Sequence, residues 1–120
     1  MKYPKPVWPY SPYVKIWNFL YCSGQIWLNP ETMELIEWWI WNQTEQVIKN
    51  IIWVLEENNL KLHDVFKTTI YLKDIKDFST VNNIYWQYFS HKPARTTIEV
   101  SNLPLDALVE IEIIANFWAK

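Results

Sequence analysis

Glycine is almost absent. The 120-residue chain holds one, Gly24, where average usage of about 7% would give roughly eight. Tight turns and left-handed helix ends have few other residues that suit them. Cysteine is equally scarce: Cys22 alone excludes an internal disulfide and fits a reducing cytosol. Arg95 is the only arginine among eleven basic residues. With a net charge of −2 and a pI near 5.6, the chain has no electrostatic footprint for a polyanion, so no nucleic-acid partner is expected. No apolar run approaches the ~20 residues that span a bilayer. The opening "MKYPKPVWPYSPY" lacks the apolar centre of a signal peptide, so no membrane partner is expected either.

What is abundant is tryptophan, with nine residues. Three of them, Trp38, Trp39 and Trp41, crowd into "ELIEWWIWNQTEQ" between a turn signal and a helix start. Half of the residues are apolar and a fifth charged, the composition of a globular protein. The length favours one domain over residues 1–120.

Residues 12–16 and 18–23 read as two short strands. A tight turn at "WN" joins them, where a glycine-containing pair is usual. "NPET" at 29–32 signals a turn. Helical spacing of Val47, Ile48, Ile51, Ile52 and Leu55 predicts a helix from about Asn42 to Asn58, with "TEQ" solvated. "VFKTTIYL", 65–72, is β-branched and aromatic, hence a strand. "KDIKD" reads as a charged loop. Asp77 is placed to cap a second helix, Phe78–Phe89, with Phe78, Val81, Tyr85 and Tyr88 inward. "RTTIEV", 95–100, and "ALVEIEIIANF", 107–117, alternate as strands, with "NLPLD" as the turn between them. Val109, Ile111 and Ile113 then face one way, Glu110 and Glu112 the other. The order β-β-α-β-α-β-β predicts an α+β fold, a two-layer sandwich of a mixed sheet with two helices on one face.

Few residues offer chemistry. Arg95 opens a strand and shares a face with Thr97 and Glu99, so its guanidinium could clamp a carboxylate or simply form a surface salt bridge. Glu110 and Glu112 could act as a general base or be ordinary solvated residues. Tyr10, Ser11, Ser23 and Asn82 stand near element ends, where turn and cap roles are common. His63 and His91 lie in loops with no acid paired to them. There is no metal-ligand spacing, phosphate loop or nucleophile elbow.

The segments "PYSPYVK", "NFLYCSGQI", "LNPET", "QTEQVIKNI", "DVFKTTIYLKDIKDF", "VNNIY", "YFSHKPARTTIEV" and "LPLDALVEIEIIA" resemble, in order and over nearly the whole chain, the reactive intermediate deaminase A (RidA, YjgF-like) family. The resemblance implies a chorismate-mutase-like fold and a homotrimer with active sites in clefts between subunits. It implies cofactor-independent hydrolysis of 2-aminoacrylate and related enamines or imines to 2-keto acids and ammonia. Carried over by motif, Arg95 in "PAR" clamps the substrate carboxylate and Glu110 in "VEIE" positions or activates water. Tyr10 in "PYS", Ser23 and Gly24 in "CSGQ", Asn82 in "VNNIY" and Thr97 line the pocket. Thr97 stands where relatives often carry cysteine, so any thiol role is lost. Two other readings remain open. One is a ligand-binding or regulatory trimer of the same family without turnover. The other is a ribonuclease or translation inhibitor, which the net charge, the single arginine and the absence of paired histidines oppose.

The chain departs from the family pattern at its tryptophans. Trp8 precedes "PYS" and Trp17 occupies the hairpin, both at family glycines. Trp38, Trp39 and Trp86 fall where some relatives have glycine. Trp27, Trp41, Trp53 and Trp118 are at variable positions. Drift does not convert glycine to tryptophan repeatedly. Either the tryptophans were introduced deliberately, for example to make an assembly contact, or UGA codons read as glycine by the host were translated as tryptophan. Counting all nine with Gly24 gives ten glycines, near average usage.

Overall fold

Strand β5, Val109–Asn116, sets the architecture. Its odd residues Val109, Ile111, Ile113 and Ala115 are buried, and its even residues are half-exposed, as the alternation predicts. The computed structural model describes residues 6, 8–28 and 39–118. The expected turn at 29–32, and Trp38, lie outside them. The other elements are β1 (Tyr13–Ile16), β2 (Phe19–Gln25), α1 (Ile40–Glu57), β3 (Val65–Leu72), α2 (Phe78–Tyr88) and β4 (Ala94–Glu99). The sheet runs β1-β2-β5-β3-β4. Only β3 and β4 pair in parallel, joined through α2; the other pairs are antiparallel. This is the α+β mixed sheet with two helices that the pattern predicts.

Helix α1 forms because an apolar stripe recurs at helical spacing. Val47, Ile48, Ile51, Val54 and Leu55 are fully buried against β2 and β5, while Ile52 only flanks the core. Burying a Val, Leu or Ile side chain stabilises by about 1.5–3 kcal/mol. Its buried polar groups are fastened rather than wasted. Gln43 Oε1 accepts from Leu108 N at 2.8 Å, and Asn50 Nδ2 donates to the carbonyls of Ile26 and Leu28. The "TEQ" segment is not solvated as expected: Thr44 is fully buried and donates to Ile40 O, and Glu45 accepts from Tyr88 Oη.

Helix α2 corrects two expectations. Asp77 stands at the cap position, but its backbone is already helical and its side chain caps nothing. The cap hydrogen bond comes earlier, from Lys76 N to Asp74, and starts a short 3-10 turn over Ile75–Asp77. Val81 and Tyr85 are buried as expected, whereas Phe78 is exposed.

The hairpin between β1 and β2 has a two-residue loop, Trp17–Asn18, because Ile16 pairs with Phe19. Trp17 has φ 55° and is 93% exposed. A left-handed residue at the first central position of such a loop is the place that takes glycine.

The face of the sheet away from the helices carries Glu110, Glu112 and Tyr71. It also carries the exposed apolar residues Val14, Ile16, Phe19, Tyr21, Phe66 and Ile98. Phe19 and Phe66 pack together there, with ring centroids 5.6 Å apart.

Candidate functional site

The sequence-predicted residues gather in two groups, one on each face of the sheet. In the parallel β3–β4 ladder Arg95 stands beside Thr68, and Thr68 is fully buried under α2 with its hydroxyl bonded to Tyr85 Oη. Arg95 therefore points to the helix side. Its Nη1 donates to Asn82 Oδ1 at 2.8 Å, and its guanidinium lies 4.9 Å from the Tyr85 ring centre and 5.5 Å from that of Phe78. Stacking and one amide bond hold the fork but leave most of its five donors open. Among the described residues Arg95 forms no ion pair. Thr97 follows on the same face, next to Ile70; its Oγ1 is buried and without a hydrogen-bond partner among the described residues.

Glu110 belongs to the other face. It stands opposite Tyr71, while Leu72 and Ile70 on either side of Tyr71 are buried beneath the helices. Its carboxylate rests in a notch made by Gly24. A Cβ at that position would overlap Glu110 Oε2 and come within 2.8 Å of Glu110 Cδ. Gly24 lies in the irregular stretch of β2 between Cys22 and Gln25, where the pairing with β5 shifts register. Such a bulge re-aims the local backbone. Burial, and then the charge of Glu112, raise the proton affinity of Glu110 above the ordinary carboxylate value.

Ser23 ties this group to the N-terminal segment. Its N donates to Pro12 O and its Oγ donates to Ser11 O at 2.6 Å. Tyr10, the next residue, is exposed, and its N bonds back to Trp8 O. Thus Arg95, Asn82 and Thr97 come together, and Ser23, Gly24 and Glu110 come together with Tyr10 nearby. Within one chain the sheet separates the two groups.

Two further features bear on chemistry. Burial pushes the Cys22 thiol up to about 12, so it is not a nucleophile near neutral pH. His63 and His91, read in the sequence as unpaired, have ring centroids 5.1 Å apart. His91 Nε2 meets Val65 O at 2.8 Å, and both rings line a cleft of about 490 Å³ with Phe66, Lys92, Asn116 and Trp118. Twenty-eight positions separate the two histidines, and no local pattern signals the encounter. Among the described residues no three His, Cys, Asp or Glu side chains gather as a metal site. No helix among them is long and apolar enough to cross a membrane.

Residues 1–117 match the sequence profile of the Endoribonuclease L-PSP family. The chain belongs to this family, whose members also carry the names RidA, YjgF and RutC. A RutC family protein of Pyrococcus abyssi is 50% identical over 115 residues, covering 95% of this chain and 91% of that protein. The chloroplastic Reactive Intermediate Deaminase A of Arabidopsis thaliana is 44% identical over 115 residues, covering 95% of this chain and 62% of the relative. The solved structure of E. coli TdcF with bound serine superimposes with a TM-score of 0.90 at 30% identity, covering 96% of this chain and 93% of that one. The RidA-type fold is thereby established for this chain.

Proposed function

We propose that this RidA-family protein is an enamine/imine deaminase. It would hydrolyse 2-aminoacrylate, through its imine tautomer, and related 2-imino acids to 2-keto acids and ammonia. The observation that carries the reading is Arg95. It is the chain's only guanidinium, stacked on Tyr85, held by Asn82, and free of any ion pair among the described residues. Such a group is built to receive a carboxylate bidentately. The relative named Reactive Intermediate Deaminase A, and the bound serine of the TdcF structure, support a small amino-acid-like ligand.

The chemistry asks little of the protein. Arg95 fixes the substrate carboxylate, and Asn82 and Thr97 Oγ1 flank it. Glu110 takes a proton from water as the oxygen adds to the imine carbon. Passing that proton to the imine nitrogen gives the neutral carbinolamine. Glu110 then takes the hydroxyl proton as the keto carbonyl forms and hands it to the nitrogen, whose C–N bond breaks to release ammonia. A carboxyl with raised proton affinity suits both transfers. Positioning an already reactive substrate supplies much of the remaining acceleration.

This arrangement needs two chains. Arg95 and Glu110 face opposite sides of one sheet, so a complete site requires the arginine of one subunit and the glutamate of another. The exposed apolar residues of the Glu110 face favour such self-association, because patches of this kind are uncommon on monomers. A homotrimer with intersubunit sites and no cofactor, working in the cytoplasm, is the assembly we propose.

The test is keto-acid release in a coupled dehydratase assay, measured above the spontaneous hydrolysis. Arg95→Ala is expected to lower kcat/KM by at least 10²-fold, the magnitude set by losing a charge-assisted clamp of ~3 kcal/mol. Binding of a 2-keto acid with no turnover by the wild type would instead support the regulatory reading. One observation favours RNA cleavage, the adjacent His63 and His91 beside a cleft. RNA cleavage by purified protein that vanishes in His63→Ala would replace the deaminase reading.

A further inference from the structure

We propose that Glu112, held in place by Tyr71, is the positioning residue that keeps Glu110 ready to exchange a proton. The inference deepens the proposed deaminase reading and rests on it for its catalytic meaning. Glu110 and Glu112 are alternate residues of β5, so their side chains leave the same face roughly 7 Å apart along the strand. Tyr71 stands directly opposite Glu110 on β3. Its hydroxyl does not turn to Glu110; it reaches diagonally and donates to Glu112 Oε1 at 2.8 Å. The hydrogen bond to Glu112 is the largest cause of the raised proton affinity of Tyr71, so the phenol keeps its proton and remains a donor.

The two carboxylates therefore have different surroundings. Glu112 has a fixed hydrogen-bond donor in Tyr71 Oη. Glu110 rests in the Gly24 notch, and its burial and then the neighbouring charge of Glu112 favour taking up a proton. Paired acids whose environments separate their proton affinities are how one face runs both acid and base steps. The other ionisable groups on this face do not undo the effect. Lys67, from β3, is turned to Thr96 Oγ1 at 3.0 Å. Lys73, just beyond β3, pairs with Asp106 at 3.7 Å. Tyr21, from β2, stands opposite Ile114. Among the described residues no lysine pairs with Glu110 or Glu112.

The experiment is a carbon-13 carboxyl titration of Glu110 in the assembled protein, with the pH profile of kcat/KM alongside. In Glu112→Gln the Glu110 midpoint and the acidic limb of the profile are expected to move together to lower pH. Tyr71→Phe is expected to move them the same way, because Glu112 then loses the bond that fixes its carboxylate beside Glu110. An unchanged Glu110 midpoint in both variants overturns the proposal. No keto-acid release by the wild type above the spontaneous rate would overturn the deaminase reading instead, and the titration would still decide whether Glu112 tunes Glu110.

A separate observation carries a second inference. We infer that the working protein has glycine at position 17, and that the tryptophan there is a UGA codon read differently by the host. The position has a left-handed backbone in a two-residue loop, and its indole is almost wholly exposed, so no packing offsets the strain. Trp8, Trp39, Trp41, Trp86 and Trp118 are each more than half exposed as well. Trp27 is buried, yet its Nε1 has no acceptor among the described residues. The intact mass of the protein from its own host tests this. A mass lower than the tryptophan-containing sequence by whole tryptophan-to-glycine differences is expected, with glycine at residue 17 in the fragment spectrum; tryptophan in that fragment overturns it.

Discussion

The Gly24 notch makes a demanding prediction, because stability and activity should respond to it by different amounts. Gly24→Ala places a methyl group where Glu110 Oε2 now sits and within 2.8 Å of Glu110 Cδ. Something must move, and the obstructing atoms are the far end of a flexible side chain rather than backbone. The cost to stability should therefore fall at the low end of the overpacking range, ~1 kcal/mol. The carboxylate must shift by about its own overlap with the new methyl, and a misplacement of about 1 Å at a reacting group lowers rate by ~10²-fold. That factor corresponds to about 2.7 kcal/mol of transition-state stabilisation. Denaturant unfolding gives the first quantity and kcat/KM in the coupled assay gives the second. In a Glu110→Ala background the three atoms nearest the added methyl are gone, so Gly24→Ala should become nearly neutral for stability. Two results would refute the reasoning. One is Gly24→Ala with wild-type kcat/KM, which would mean that the notch does not place Glu110. The other is a destabilisation that persists undiminished when Glu110 is absent.

Three further outcomes follow from the same geometry. Glu110 binds its proton more tightly when folded than when unfolded, so its contribution is favourable at acid pH and is lost as pH rises through the folded value. Glu110→Gln should accordingly raise the melting temperature at neutral pH, and the gain should shrink as pH falls below the carboxylate range. Thr97→Val removes a buried hydroxyl that has no partner among the described residues, and should stabilise by about 1 kcal/mol in denaturant unfolding while lowering kcat/KM. Cys22 should resist thiol reagents in the native protein at neutral pH and react on unfolding, since burial holds it at about 12.

The parts of the fold that were legible in the sequence are those where periodicity and burial coincide. The Val-Glu-Ile-Glu-Ile alternation of β5 and the 3.6-residue stripe of α1 each declare an element and its inward face. Ends and connections were less legible. Three short 3-10 turns, Leu62–Asp64, Ile75–Asp77 and Pro104–Asp106, are built by local hydrogen bonds within charged or proline-containing stretches that read only as loops. Asn59, Lys92, Leu105 and Asp106 adopt positive φ without glycine to mark them. The site residues could be named from motifs, but their separation could not. Alternation says that Arg95 shares a face with Thr97 and Glu110 with Glu112. Which of those faces lies under the helices depends on the β3–β4 and β3–β5 registers, which are long-range pairings. The His63–His91 contact is hidden for the same reason.

The division of Arg95 and Glu110 between opposite faces has a genetic consequence. Two disabled chains could repair each other. A subunit with Arg95→Ala still offers its glutamate, and one with Glu110→Gln still offers its arginine. Unfolded together and reassembled in equal amounts, they would pair a sound arginine with a sound glutamate at roughly one site in four of the proposed cyclic trimer. Activity would thus return from a mixture of two inactive proteins, and a strain carrying both alleles would be healthier than a strain carrying either.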